Sequence, residues 1–109
     1  MPTFLDVKRI LDSAIAGWKA RTGHDPDLIG VHQRDPSQPF GWSTKAELMT
    51  SFARHRQLIQ PGAAGKDTNL VVALKTGVAP FPQMPDSGPY LSDADIGTIA
   101  AWIDAGCPD

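Results

Sequence analysis

The sequence predicts an all-α domain of about four helices joined by long, Pro-rich loops. Three observations predict it. Apolar residues recur at spacings of three and four along the first and last parts of the chain. Thr or Ser stands just before those stretches, and glycine just after them. No stretch alternates apolar and polar residues strongly enough to read as a strand.

The first helix is the clearest. Phe4, Val7, Ile10, Leu11, Ala14, Ile15 and Trp18 make one continuous apolar face. Thr3 is its N-cap, Asp6 completes a capping box, and Gly23 lies just past its end, near Arg21. From Thr22 to Trp42 the chain reads as loop, because Pro26, Pro36 and Pro39 interrupt any helix. A second helix starts near Ser43 or Thr44, with Glu47 in the capping-box position. Leu48, Phe52, His55 and Ile59 then share one face, which carries the helix to Pro61 and Gly62. A third runs from about Thr68 to Thr76, with Asp67 as N-cap and Gly77 as the terminating glycine. Pro80, Pro82 and Pro85 hold the next segment extended. Ser92 caps the last helix, whose stripe is Ile96, Ile99, Ala100, Trp102 and Ile103, and Gly106 ends it. The first and last helices are expected to cross near Trp102, with Val7, Leu11 and Ile15 facing Ile99, Trp102 and Ile103.

The chain has 109 residues, which suits one domain, 1–109. Apolar residues make up 41% and charged residues 20%, a globular balance. A net charge of -2 gives no basic excess to neutralise a phosphate backbone, so nucleic acid is not the expected partner. No apolar run is long enough to span a bilayer, so no membrane partner is expected either. Met1-Pro2-Thr3-Phe4 does not open an export signal, and the expected location is cytoplasmic. The expected state is a monomer. The one cysteine, Cys107, follows the last helix, is expected to be exposed, and has no partner for an internal disulfide.

Three segments together resemble class I c-type cytochromes. Leu74-x-x-Gly77 leads into an extended loop bearing Gln83-Met84-Pro85, in the place of that family's axial methionine. Gly88-Pro89-Tyr90-Leu91-Ser92-Asp93-Ala94-Asp95-Ile96 enters the last helix as the family's Leu-Ser-Asp-x-x-Ile segment does. Ile99-Ala100-Ala101-Trp102-Ile103-Asp104-Ala105-Gly106 is similar to its terminal helix, whose aromatic residue crosses the first helix. The resemblance implies the cytochrome-c-like bundle. It stops at the haem attachment site. Where the family has Cys-x-x-Cys-His, this chain reads Ala14-Ile15-Ala16-Gly17-Trp18. Neither thioether cysteine is present, and tryptophan cannot replace imidazole on iron. The chain is therefore expected to be a haem-less relative, with no cofactor and no metal.

A fold built around haem and then emptied must compensate, because a cavity costs roughly 24 cal/mol per Å³. Either side chains fill the space or a pocket remains, and both alternatives stay open at the sequence level. The resemblance places Trp18, Trp42, Met49, Phe52, Phe81 and Met84 around that space, with Trp18 packed near Met84. His55, on the supposed inner face of the second helix, is the ionisable group expected to reach it, and the candidate acid–base residue. The first expected function is a non-catalytic module that binds a small apolar or aromatic molecule or a partner protein. The alternatives are a small cofactor-independent enzyme using His55, and electron transfer with non-covalent haem between Met84 and His55.

Other groupings are weaker. His24, Asp25, Asp27 and His32 contain zinc or copper ligand types, but their spacing fits no standard site and Asp25-Pro26 reads as a turn. Gly62-Ala63-Ala64-Gly65-Lys66-Asp67 lacks the spacing and preceding strand of a phosphate loop. Ser92 is explained by its capping role.

Overall fold

The computed structural model describes residues 2–24, 40–53, 55–78, 82–85 and 88–109. Most of the loop expected between Thr22 and Trp42 lies outside them, as do Asp25, Asp27, His32, Pro80 and Phe81, while residues 82–85, expected to be extended, form a bend and a turn. The described residues form four α-helices, α1 (Phe4–Thr22), α2 (Lys45–Met49), α3 (Asn69–Lys75) and α4 (Asp93–Asp104). A two-residue hairpin follows α2, with β1 (Phe52–Ala53) antiparallel to β2 (Arg56–Gln57). A single 3₁₀ turn, Gly65–Asp67, precedes α3. The mostly helical class is thus as expected, with a small hairpin added.

The ends of α1 follow from its sequence. The Thr3 hydroxyl accepts from the Asp6 N–H, and the Asp6 carboxylate accepts from the Thr3 N–H at 2.8 Å. Those two bonds satisfy amide donors that have no partner inside the helix. Gly23, at φ 73°, closes the other end by donating to the Lys19 carbonyl.

The second helix is much shorter than expected, and the reason lies in its hydroxyls. Thr44 caps it, accepting from the Glu47 N–H, while Glu47 reaches the N–H of Ser43 instead of Thr44. Thr50 Oγ1 then donates to the Ala46 carbonyl at 2.9 Å, and Ser51 Oγ lies 2.7 Å from that of Glu47. The Thr50 N–H still reaches the Ala46 carbonyl, but the Ser51 N–H turns to Leu48 and leaves the Glu47 carbonyl to the two hydroxyls, so the chain leaves the helix at Thr50. The expectation that His55 faces inward from a long helix is therefore corrected. His55 sits in the hairpin turn at φ 69°, and it is exposed.

The N-cap of α3 also differs. Asp67 lies in the 3₁₀ turn, and Thr68 caps the helix instead. The Thr68 side chain is wholly buried, donates to the Gly65 carbonyl at 2.8 Å, and accepts from the Val71 N–H. Gly77, at φ 92°, ends this helix by donating to the Val72 carbonyl. Ser92 caps α4 as expected.

The core gathers along α4. Ile96, Ile99, Trp102 and Ile103 are buried there against Val7 and Leu11 of α1 and Leu70, Val71 and Leu74 of α3. Phe4 lies against Trp102 with ring centroids 6.2 Å apart where the first and last helices meet, as expected, but Ile15, expected in the same contact, is half-buried outside this core. The end of the chain closes over this crossing. The Pro108 carbonyl accepts from Trp102 Nε1 at 2.7 Å and from the Phe4 N–H at 3.2 Å. Lys45 Nζ donates to the Cys107 carbonyl and pairs with Asp109. Cys107 is therefore buried, at 7% exposure, contrary to expectation, and burial pushes its thiol pKa up. No helix among the described residues is long and apolar enough to cross a membrane.

Candidate functional site

The cleft described here lies between α1 and the segment that enters α2. It is a shallow cleft of about 460 Å³, more open to solvent than enclosed. Lys8, Asp12 and Ile15 of α1 make one wall. Phe40, Gly41, Trp42 and Ser43 make the other, with Glu47 of α2 at its edge.

Helical spacing explains the first wall. Residues 8, 12 and 15 fall within one narrow strip of α1, beside the Val7–Leu11 face that enters the core. Lys8 Nζ donates to Asp12 Oδ2 at 2.6 Å, an i,i+4 ion pair. The same carboxylate accepts from Trp42 Nε1 at 2.9 Å through its other oxygen. Asp12 thus joins a helix to a segment thirty residues away. The bond from Lys8 holds the Asp12 carboxyl below its ordinary pKa against a raising effect of desolvation, and Trp42 adds to the lowering.

The second wall is held from behind. Ser51 is wholly buried, and its hydroxyl accepts from the Gly41 N–H at 2.9 Å. The Ser51 proton can go to the Gly41 carbonyl at 2.8 Å or to that of Glu47 at 2.7 Å. Leu58 donates its N–H to the Ser51 carbonyl, which ties the hairpin to the same point. Glu47 Oε1 accepts from the Ser43 N–H at 3.0 Å, and a Cβ on Gly41 would collide with that carboxylate. A glycine there lets the chain pass close under Glu47. The result is a fixed aromatic pair. Phe40 and Trp42 meet edge to face, with centroids 6.0 Å apart and planes at 77°.

The residues expected around a haem space are distributed as follows. Trp42 lines the cleft. Met49 and Met84 are half-buried and pack against the hydrophobic core. Phe52 is half-buried in β1. Trp18 is half-buried near the end of α1, where its carbonyl accepts from Thr22 Oγ1. Phe81 lies outside the described residues. Met84 is anchored by its backbone, which donates to the Ala73 carbonyl at 2.8 Å, while Gln83 Nε2 donates to that of Leu74 at 3.0 Å. Both bonds satisfy carbonyls at the end of α3. On the opposite face of α1 from the cleft, Pro89 closes on Gly17, where an added Cβ would stand 3.2 Å from Pro89 Cγ. Arg21 Nε donates to the Gly88 carbonyl beside it. Exposed His55 lines neither wall of the cleft.

Sequence reasoning did not find Lys8, Asp12, Gly41, Ser43 or Glu47 as site residues. The available signal was the Lys8–Asp12 spacing beside the apolar face. Comparison of the chain with protein-family models, with curated proteins and with solved structures returned no match.

The Trp42–Asp12 bond gives a direct prediction. On acidification, the Trp42 Nε1–H signal in an NMR spectrum should shift with a midpoint below the ordinary aspartate value of about 3.9. The sign follows from the lowered pKa. The tie is present above the ordinary aspartate value and is lost as pH falls through the depressed one. Asp12→Asn should remove that titration. A midpoint above the ordinary value would mean that the carboxylate is not held by these partners.

Proposed function

We propose that this chain is a haem-less relative of the class I c-type cytochromes that acts as a non-catalytic binding module. Its ligand is a small aromatic molecule, taken in the cleft beside Trp42. The observation that carries this reading is the fixed indole. Its N–H is committed to Asp12, its ring meets that of Phe40 at 77°, and the pair lines an open cleft of about 460 Å³. Clefts of roughly 300–1,000 Å³ suit small organic ligands. A ring held in place on one side loses little further freedom when a ligand stacks on it.

The cytochrome-like part of the reading is supported by the order of elements and by two contacts. Phe4 meets Trp102 where the first and last helices cross, and the Gln83–Met84 segment lies against the end of α3. Absence of Cys-x-x-Cys-His from the chain supports the haem-less part. The contact of Pro89 with Gly17 supports a space filled by protein at that end of α1. Exposure of His55 in a hairpin turn gives no support to an enzyme or to an iron site that depends on it.

Indole is a suitable probe. Titrated into isotope-labelled protein, it should shift the Trp42 Nε1–H signal and the amide signals of Gly41 and Ser43, saturably, while Ile99 and Trp102 in the core stay fixed. Trp42→Ala should abolish saturation without unfolding the chain, since Trp42 is only half-buried. If neither indole nor other small aromatic probes move these signals, the binding reading fails.

A further inference from the structure

We propose that the cleft selects an organic cation, an aromatic or quaternary ammonium compound, over neutral and anionic aromatics of the same shape. This rests on the reading of the cleft as an aromatic-ligand site and names the chemistry that the site prefers.

The first argument is charge. Two carboxylates, Asp12 and Glu47, border the cleft, against one ammonium, Lys8. That ammonium is already paired, at 2.6 Å from Asp12 Oδ2. Lys8 therefore offsets Asp12, and the lining keeps the negative charge of Glu47. Partners that favour the ionised form keep Asp12 charged at neutral pH. A carboxylate ligand would meet repulsion from both acidic groups, whereas a cation would not.

The second argument is the aromatic pair. A tryptophan face attracts a cation through its quadrupole, more strongly than phenylalanine or tyrosine does. Trp42 is held in place by a bond made through its edge, at Nε1, so that bond does not occupy the ring face. Phe40 stands nearly perpendicular to it, at 77°, and helps to hold the indole in place. A quaternary ammonium carries its charge on a methyl-covered surface. It can rest on the indole at a small desolvation cost and still sense the carboxylates at the rim.

Lys8 is the group that opposes this preference. Its side chain is 32% exposed and is directed onto Asp12, so its field is partly cancelled where it stands.

The test compares three phenyl probes by calorimetry on the intact chain at moderate salt: phenyltrimethylammonium, its uncharged isostere tert-butylbenzene, and the smaller planar anion benzoate. The cation should bind about tenfold more tightly than the isostere, and benzoate most weakly. Glu47→Gln keeps an oxygen for the Ser43 N–H but removes the surplus charge. It should lower the ratio of cation to isostere affinity about threefold. Equal binding of cation and isostere would overturn cation selection and leave the aromatic-ligand reading standing. Tighter binding of benzoate, or a ratio unmoved by Glu47→Gln, would also overturn it. Failure of the cation to bind where indole still does would overturn cation selection alone, and failure of indole and of all three probes would overturn both readings.

Discussion

Trp102→Ala should destabilise the chain by about 3–5 kcal/mol, enough to leave much of it unfolded if total stability lies in the usual range of about 5–15 kcal/mol. The side chain is wholly buried, among the largest so placed, and stands where α4 crosses α1. Its removal would open a cavity bordered by Phe4 and by neighbours on both helices. These cannot collapse freely, because Val7 and Ile99 are themselves fully enclosed. It would also strip a donor from the Pro108 carbonyl, which then relies on the Phe4 N–H alone. Trp102→Phe is the intermediate case. It keeps a six-membered ring but loses the N–H and three ring atoms, so its cost combines the hydrogen bond, about 1–3 kcal/mol, with a smaller cavity, and should fall below that of the alanine variant. Urea unfolding followed by far-ultraviolet circular dichroism measures both. A loss below about 1 kcal/mol for the alanine variant would contradict the packing of α1 on α4.

The parts of the fold governed by local chemistry were legible in the sequence. The Thr3–Asp6 box, the Gly23 terminator, the Ser92 cap and the apolar stripe of α4 each need only residues within one or two turns. Where two local preferences competed, the reading went wrong. The helical spacing of Leu48, Phe52, His55 and Ile59 suggested continuation, but the Ser51 N–H turns to Leu48 and leaves the Glu47 carbonyl to side-chain hydroxyls at the end of α2. Leu58 and Ile59 are buried all the same, reached through the hairpin instead of along a helix. Asp67 and Thr68 both suit an N-cap, and burial of Thr68 decided between them. Cys107 was misplaced because Gly106 and Cys107 both adopt positive φ, which turns the chain end back over the core. The cleft was the least legible. Its two walls meet through the Trp42–Asp12 bond, a long-range pairing that no periodicity announces.

Gly65→Ala should be the second severe change, although it adds one methyl group. Gly65 is buried in the 3₁₀ turn before α3, and its N–H donates to Asp104 Oδ1 at 2.7 Å. A Cβ there would overlap the Ala100 carbonyl oxygen and lie 2.8 Å from Ala100 C and 2.9 Å from Ala100 Cα. These atoms belong to helix backbone and cannot rotate away as a side-chain tip could. Relief requires the turn and α4 to separate, and that loosens Ile96, Ile99 and Ile103 together, because all three pack from the same helix. A cost of about 3 kcal/mol is expected, with Tm lowered by roughly 10–20 °C for a domain of this size. Gly97 provides the internal control. It lies on the exposed side of α4, where an added Cβ meets nothing within 4 Å. Gly97→Ala should therefore raise stability by about 0.5–1 kcal/mol, as alanine restricts the unfolded chain and favours helix. The two variants differ by the same single methyl group, one against backbone and one in open space. Opposite shifts in Tm would thus report the close approach of the turn to α4 directly. A Gly65→Ala protein within about 0.5 kcal/mol of the parent would mean that this contact is not made.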